Sequence, residues 1–327
     1  MVNQSEVLSK VLFVATIILA GLSTISFAQN DYPSRSIKII VPLPPGPVAD
    51  VLPRIIAQKL AARWGQPVII ENRPGASQNI GAEAVAKAEP DGYTLLATPP
   101  APLVVSQHLF PQLGFDPTTF VPITVMVKVP AVLIVNPKVP ASNLKELIAY
   151  AKANPSKLTY GSPGLGSTQQ LAMEQIMTRA GIRFVHVPYK GLAPAMTDLL
   201  AGHIDVMIDN LGNVMQHIKD GSLKLIATTA EFRIKDLPDT PTVSETLPGI
   251  THADWFAIVA PSKTPPQIAT KLAEAISEIL KAPDVAQKIN ELYLTSAGTS
   301  PAETADLIKK ESERWRQLIA ETGLKVE

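Results

Sequence analysis

From Ser36 almost to the C-terminus, short strand-like runs alternate with longer helix-like segments, and this rhythm limits the chain to an α/β fold with largely parallel sheets. The strand runs are "SIKIIVP" from Ser36, "PVIIEN" from Pro67, "YTLLAT" from Tyr93, "KLTYG" from Lys157, "RFVHVPY" from Arg183, "IDVMID" from Ile204 and "LKLIATT" from Leu223. Between the first two, "DVLPRIIAQKLAARWG" sets Val51, Leu52, Ile55, Ile56 and Leu60 on one helical face. Pro53 fits only a first turn, and Gly65 stands where a C-terminal cap belongs.

Two passages break the rhythm. Residues 120–138 run two strand-like pieces together with no helix between them, and the proline-rich stretch 231–261 ends in an apolar strand. Both read as crossings between two lobes, the first holding residues 30–129 plus 250–327 and the second 130–249. One continuous large sheet is the competing reading. Three helical segments follow Pro261, and the last opens with Ser300, Pro301 and Glu303 in a capping-box arrangement.

The first thirty residues carry Lys10, an apolar stretch from Val11 to Leu22, and small residues at Ser26 and Ala28. This predicts a signal peptide over residues 1–28, cleaved so that the mature chain starts near Gln29. The apolar stretch is short of the ~20 residues that span a bilayer. With no cysteine, the chain cannot be a disulfide scaffold, a thiol enzyme or a lipid-modified lipoprotein. Its 29 basic residues balance 29 acidic ones, which argues against nucleic acid as a partner. An anionic ligand would have to be held by local geometry.

Several strand-to-helix junctions offer that geometry. "VPLPPGPVAD" (residues 41–50) crowds four prolines and a glycine before a helix, and "YGSPGLGST" (160–168) puts three glycines and two serines before another. "VPYKGLAPAM" (187–196) and "IDNLGN" (208–213) repeat the design. In parallel α/β sheets such junctions lie at the carboxyl ends of the strands, where ligands bind. Helix N-termini present unpaired N–H groups and the positive end of the helix dipole, so a carboxylate can be held without an arginine. Rigid prolines lower the entropy lost on binding. The G-x-x-G-x-G spacing of "GSPGLGS" is neither the dinucleotide fingerprint nor a Walker loop, and Ser162 is not in a G-x-S-x-G elbow. Asp50 can equally be a helix cap, Lys190 a solvated turn residue, and Asp209 and Asn210 end an apolar strand. The five histidines lack metal-ligand spacing. No catalytic group, metal or cofactor is expected.

These motifs, with "GQPVIIENRPGASQNIGAEAVAKAEPDGYTLLAT" and "VPYKGLAPAMTDLLAGHIDVMID", resemble the Bug family, the extracytoplasmic solute receptors of tripartite tricarboxylate transporters, over essentially the whole mature chain. The resemblance implies a periplasmic-binding-protein type II fold, two α/β lobes joined by hinge strands with a ligand cleft between them. It also implies a periplasmic receptor that passes a small carboxylate to membrane permease subunits; a monomer is expected, and no nucleic acid partner. Carried over by position, Pro44, Pro45, Gly46, Val48 and Asp50 look like the carboxylate-binding loop. Ser162, Gly164, Gly166, Ser167 and Thr168 look like the contact from the other lobe, and Thr98, Tyr189, Gly191 and Asp209 lie near the cleft. The chain departs from the family pattern at Leu43, at Pro47, which has no N–H to donate, and at Pro99 and Pro100. A co-receptor for a sensor kinase and a periplasmic hydrolase are the rival readings.

Overall fold

The computed structural model describes residues 32–46 and 50–324. The expected signal peptide, Pro47 and Val48 therefore lie outside the described residues. The chain divides into a leading unit, Met1–Arg35, and a second unit, Ser36–Glu327, which holds every element below.

The strands are β1 (Ile37–Val41), β2 (Val68–Asn72), β3 (Thr94–Thr98), β4 (Val121–Val135), β5 (Thr159–Ser162), β6 (Val185–Pro188), β7 (Val206–Asn210), β8 (Lys224–Thr228), β9 (Ala253–Ala260) and β10 (Thr295–Ser296). The helices are α1 (Val51–Trp64), α2 (Asn79–Ala86), α3 (Ala101–Val104), α4 (Ser106–Leu109), α5 (Leu144–Ala153), α6 (Thr168–Ala180), α7 (Leu192–Ala201), α8 (Leu211–Lys219), α9 (Val243–Thr246), α10 (Pro266–Lys281), α11 (Pro283–Glu291) and α12 (Pro301–Thr322).

The two pieces of the 120–138 passage are one strand of 15 residues, β4. Its first stretch, Val121 to Pro130, runs antiparallel to β9. From Ala131 to Val135 it pairs instead with β7, and Val132 to Val135 also face β8. At ~3.3 Å per residue such a strand is about 50 Å long, enough to serve two lobes in turn. Pro130 marks the change of partners, because a residue without an N–H cannot continue a ladder on both sides.

The strand order is β2-β1-β3-β9-β4-β7-β5-β6, with β8 and β10 also paired to β4. The outer strands of each half are parallel, as the alternation predicts: β1 to β2 and β3, and β5 to β6 and β7. All antiparallel pairings involve β4 or β9, so the sheet is more mixed than expected. The difference follows from chain direction: the two crossing strands enter the sheet without an intervening crossover helix, which only a parallel neighbour requires.

Period-two alternation along β4 builds the second lobe on both faces. Ala131, Leu133 and Val135 join Tyr160, Met173, Val206 and Ile208 in one core, while Val132 and Ile134 join Ala195, Leu199, Met207 and Leu211 in another. The first lobe packs Ile40, Leu96, Ala257 and Val259 against Trp315, Leu318 and Ile319 of α12. Each large side chain buried there stabilises by ~1.5–3 kcal/mol, and α12 thereby fastens the chain's last helix to its first strands.

Local signals set the helix ends. Gly65 closes α1 in the left-handed conformation (φ 66°) and Pro53 sits buried in its first turn. Ser300 and Glu303 form the reciprocal capping box of α12.

Candidate ligand-binding site

Two adjoining cavities open where the lobes meet. The smaller, about 250 Å³, is lined from the first lobe by Leu43, Pro44, Pro45, Gly46, Gln78, Pro99, Ala101, Asp254 and Phe256. From the second it is lined by Pro163, Thr168, Gln169, Gly191, Leu192, Ala193, Met196, Asp209, Asn210 and Asn213. The larger, about 640 Å³, shares Leu43, Pro44, Gln78, Pro163 and Gly191 with it, and adds the stretch from Pro74 to Ser77, Gly164, Leu165, Tyr189 and Lys190. Among the described residues, neither arginine nor lysine lines the smaller cavity.

Its walls are strand-to-helix junctions. Thr168 and Gln169 open α6, and Leu192 and Ala193 open α7 behind Gly191. The first N–H groups of a helix have no intrahelical acceptor, and the dipole there favours negative charge. Gly191 has a φ of 119°, which residues with a side chain rarely adopt, and a Cβ on it would stand in van der Waals contact with Pro44 Cγ of the first lobe's proline loop, at 3.4 Å.

Two buried carboxyl groups occupy the same cavity. Asp254 Oδ1 accepts from Thr168 Oγ1 at 2.7 Å and Oδ2 from Gln169 Nε2 at 2.6 Å, and both bonds cross from one lobe to the other. Burial pushes its pKa up to about 6, opposed by the Thr168 bond. Asp209 Oδ1 accepts from the Asn210 N–H at 2.6 Å and from Asn213 Nδ2 at 2.9 Å. Burial pushes Asp209 up to about 7, and the charge of Asp254 adds to the rise. Behind Asp254, His252 lies 3.7 Å away, beyond hydrogen-bond reach. Burial and then Arg314 hold its pKa down at about 3, so the imidazole is neutral and the contact is not an ion pair.

Gln78 reaches both cavities from an uncommon backbone. Ala76, Ser77 and Gln78 are three successive non-glycine residues with positive φ, at 44°, 53° and 78°. Each such residue costs roughly 1 kcal/mol or more, and the run follows Gly75 directly into α2.

A cleft between two lobes, walled by helix N-termini, agrees with what the chain is similar to. A model of the tripartite tricarboxylate transporter family receptors matches residues 52–324. The chain belongs to this receptor family. Protein BugT of Bordetella pertussis is 36% identical over 328 residues, covering 99% of each chain. Among solved receptor structures, R. palustris Rpa4515 with adipate is 34% identical with a TM-score of 0.85, covering 90% of this chain and 99% of its own. MatC from Rhodopseudomonas palustris, with bound malate, is 29% identical with a TM-score of 0.82, covering 88% of this chain and 100% of its own. The receptor fold is thus the periplasmic-binding-protein fold of two α/β lobes that the sequence resemblance implies.

Against this receptor frame the expected residues separate into three groups. Pro44, Pro45, Gly46, Thr168, Gly191 and Asp209 line the smaller cavity, and Gly164 and Tyr189 the larger. Tyr189 donates its hydroxyl to Asp198 Oδ2 at 2.6 Å, and burial with that carboxylate pushes it up to about 12.

Asp50, Thr98, Ser162, Gly166 and Ser167 stand behind the walls. Asp50 is bound by Arg54 at 2.6 Å and by Asn72 at 2.9 Å, and its side chain makes no cap bond to α1. Arg54 and Asn72 together hold its pKa below the usual carboxylate range, against the opposing and largest effect of burial. Thr98 donates to the Pro99 carbonyl. Ser167 donates to the Gly164 carbonyl at 2.7 Å and accepts from the Gln170 N–H, so its hydroxyl is spent on shaping the turn and capping α6. Gly166 has a φ of 75° and a Cβ there would collide with Leu109. Val48 lies outside the described residues.

Ser162 forms a pair the sequence did not announce: its Oγ is 2.7 Å from His186 Nε2. The other ring nitrogen, Nδ1, faces Gln170 Nε2 at 3.4 Å rather than a carboxylate, and burial holds the ring at about 4. A catalytic triad would need an acid there, and Ser162 is fully buried.

Sequence reasoning missed Gln78, Gln169, Asn213, Asp254 and Phe256 as wall residues. Asp254 and Phe256 alternate along β9, an apolar run whose only polar residue besides Trp255 is Asp254, and that solitary acid was a signal available in "HADWFAIVA".

Proposed function

We propose that the protein is a periplasmic receptor that closes its two lobes on a small organic carboxylate and presents it to the permease subunits of a tripartite tricarboxylate transporter. The observation that carries this is the cavity itself: the N-terminal turns of α6 and α7 face it, with the Pro44–Gly46 loop opposite. The carboxylate is held by backbone N–H groups and helix dipoles at the start of those helices. Family membership and the adipate and malate carried by its relatives support the same ligand class.

Closure needs a ligand that contacts both lobes, since a ligand shifts an equilibrium only by its differential affinity for the two states. The protein returns its ligand unchanged and acts as a monomer. Export of the chain through its predicted signal peptide places it in the periplasm, and among the described residues no helix is long and apolar enough to cross a membrane.

A thermal-shift screen of purified protein against adipate, malate, succinate and citrate, with the matching amides, tests the reading. A ligand at 100 times its Kd stabilises by roughly 2.7 kcal/mol, which for a chain of this size raises Tm by ~5 °C. Equal shifts with acids and amides, or no shift with any acid, would reject it.

A further inference from the structure

Ser162 and His186 form the middle of a longer line of hydrogen bonds beneath the turn from Pro163 to Ser167. Period two and strand register bring its members together. Tyr160 and Ser162 of β5 point to one face of the sheet, and β6 sets His186 opposite Tyr160. On that face the Tyr160 ring stacks on the imidazole, with centroids 4.6 Å apart. α6 brings Gln170 and Glu174 to the same place, one helical turn from each other.

Each bond in the line has a fixed direction. The Gly166 N–H donates to Gln170 Oε1 at 2.7 Å, so the Gln170 amide cannot be reversed, and its Nε2 faces His186 Nδ1 at 3.4 Å. Gln170 also hydrogen-bonds Tyr160, whose hydroxyl donates to Glu174 Oε1 at 2.6 Å. An amide nitrogen only donates, which makes Nδ1 the acceptor and puts the ring's single proton on Nε2. Nε2 therefore donates to Ser162 Oγ at 2.7 Å, and the Ser162 hydroxyl donates in turn to the Gly164 carbonyl at 3.1 Å. The line thus starts at Gly166 and ends at Gly164, with every donor pointing the same way, an arrangement in which successive bonds strengthen one another.

The bracketed turn is pliable by composition. Gly164 and Gly166 have φ values of 137° and 75°, and glycine loses more freedom on folding than any other residue. Ser167 bonds the Gly164 carbonyl from within the turn, whereas the line through His186 ties it to β6. Pro163, Gly164 and Leu165 line the larger cavity, and Pro163, Thr168 and Gln169 the smaller. We propose that His186 is a positioning residue of the ligand site: as the Nε2–H tautomer it joins Gln170 of α6 to the Gly164 carbonyl, and so fixes the turn that carries the α6 N-terminus to the cleft. This role rests on the reading of the cleft as the ligand site. The titratable groups beside the imidazole are Tyr160 of β5, against its face, and Glu174 of α6, whose carboxylate is turned to the Tyr160 hydroxyl. Burial holds the ring at about 4. A second proton would go to Nδ1, donor against donor at Gln170, and break the line there.

Nitrogen NMR of the ligand-free protein, with its histidines labelled, reads the tautomer directly and does not depend on which ligand the cleft takes. At pH 7 the His186 proton should be on Nε2, and the Gly164 carbonyl and Gly166 amide signals should titrate together with the imidazole as pH falls through about 4. A proton on Nδ1, or turn signals that ignore the imidazole's titration, overturns the proposal. His186→Phe keeps a ring on Tyr160 and removes both nitrogens; the amides of residues 164–168 should then exchange roughly 5-fold faster, the factor that one ordinary hydrogen bond represents. His186→Gln, whose amide can again donate to Ser162, should recover part of that protection. Unchanged exchange in His186→Phe, or no recovery in His186→Gln, would leave the imidazole as packing alone and the proposal wrong, with the ligand reading of the cleft untouched.

Discussion

Thr168 Oγ1 donates to Asp254 Oδ1 across 2.7 Å, and in doing so ties the first residue of α6 in the second lobe to β9 in the first. Gln169 Nε2 bonds the other oxygen of the same carboxylate at 2.6 Å. The two lobes are therefore joined by a polar latch in the wall of the cavity, where a buried carboxyl group has its solvation replaced by two donors. Thr168→Val keeps the shape and removes the donor. The expected outcome is a loss of ligand affinity of roughly 5- to 30-fold, from the ~1–2 kcal/mol that a bond to a buried carboxyl contributes, with the lobes more open in solution. Calorimetry and small-angle scattering read both, and unchanged affinity with an unchanged radius of gyration would remove the latch from the mechanism.

Gln78 combines strain with position. Its φ of 78° costs roughly 1 kcal/mol relative to a glycine, and its side chain lines both cavities. Gln78→Gly should raise the stability of the ligand-free protein by up to about 1 kcal/mol, the relief being partly offset by the entropy of glycine in the unfolded chain. Ligand binding should weaken at the same time. Urea titration and calorimetry on one variant separate the two effects, and a variant less stable than the parent would contradict the strain argument.

The buried carboxyl of Asp209 makes stability depend on pH. Its ordinary pKa of 3.8 rises to about 7 in the folded protein, so the fold binds the proton more tightly than the unfolded chain does. The resulting stabilisation is fully present below about pH 4 and is lost as pH rises through 7. His252 and His186 run the other way: at about 3 and about 4 their folded values fall below 6.5, so their stabilisation is present above 6.5 and lost as pH falls. The slopes oppose each other between about pH 4 and 6.5, which is why a variant is needed to isolate one. The stability of Asp209→Asn relative to the parent should improve steadily from pH 4 to pH 8 in chemical denaturation. A flat difference would show that the carboxyl is not perturbed.

The sequence was most informative where local rules operate alone. Gly65, Ser300 and Glu303 could be placed in advance because a cap depends only on its own turn. The alternating runs located β1 to β3 and β5 to β8, the two passages that break the rhythm held β4, read as two pieces, and β9, and only the two-residue β10 was too short to carry a pattern. What stayed hidden depended on contacts made at long range. The course of β4 through both lobes is fixed by partners 71 to 139 residues away, from Val135↔Val206 to Val121↔Ala260. The cavity wall has the same origin: Asp254 reads as a lone polar residue in an apolar strand until folding brings Thr168 and Gln169 to it. Conversely, Asp50 and Ser167 have the residue types of binding groups, but their oxygens are taken up by Arg54, Asn72 and the α6 turn.

Gly191 tests whether the proline loop and α7 must touch for the receptor to work. Its φ of 119° lies where side-chain-bearing residues rarely go, and an added Cβ would meet Pro44 Cγ at 3.4 Å. Two effects of Gly191→Ala therefore separate. Backbone strain should lower stability by ~1–3 kcal/mol in the presence or absence of ligand. The contact with Pro44 is at the short edge of ordinary van der Waals distance, so ligand affinity should fall only slightly beyond what the loss of stability explains. Pro44→Ala in the same chain removes the opposing ring. If the steric account is right, the double variant should recover part of the lost affinity and none of the lost stability, whereas full additivity in both readouts would assign the whole effect to backbone strain.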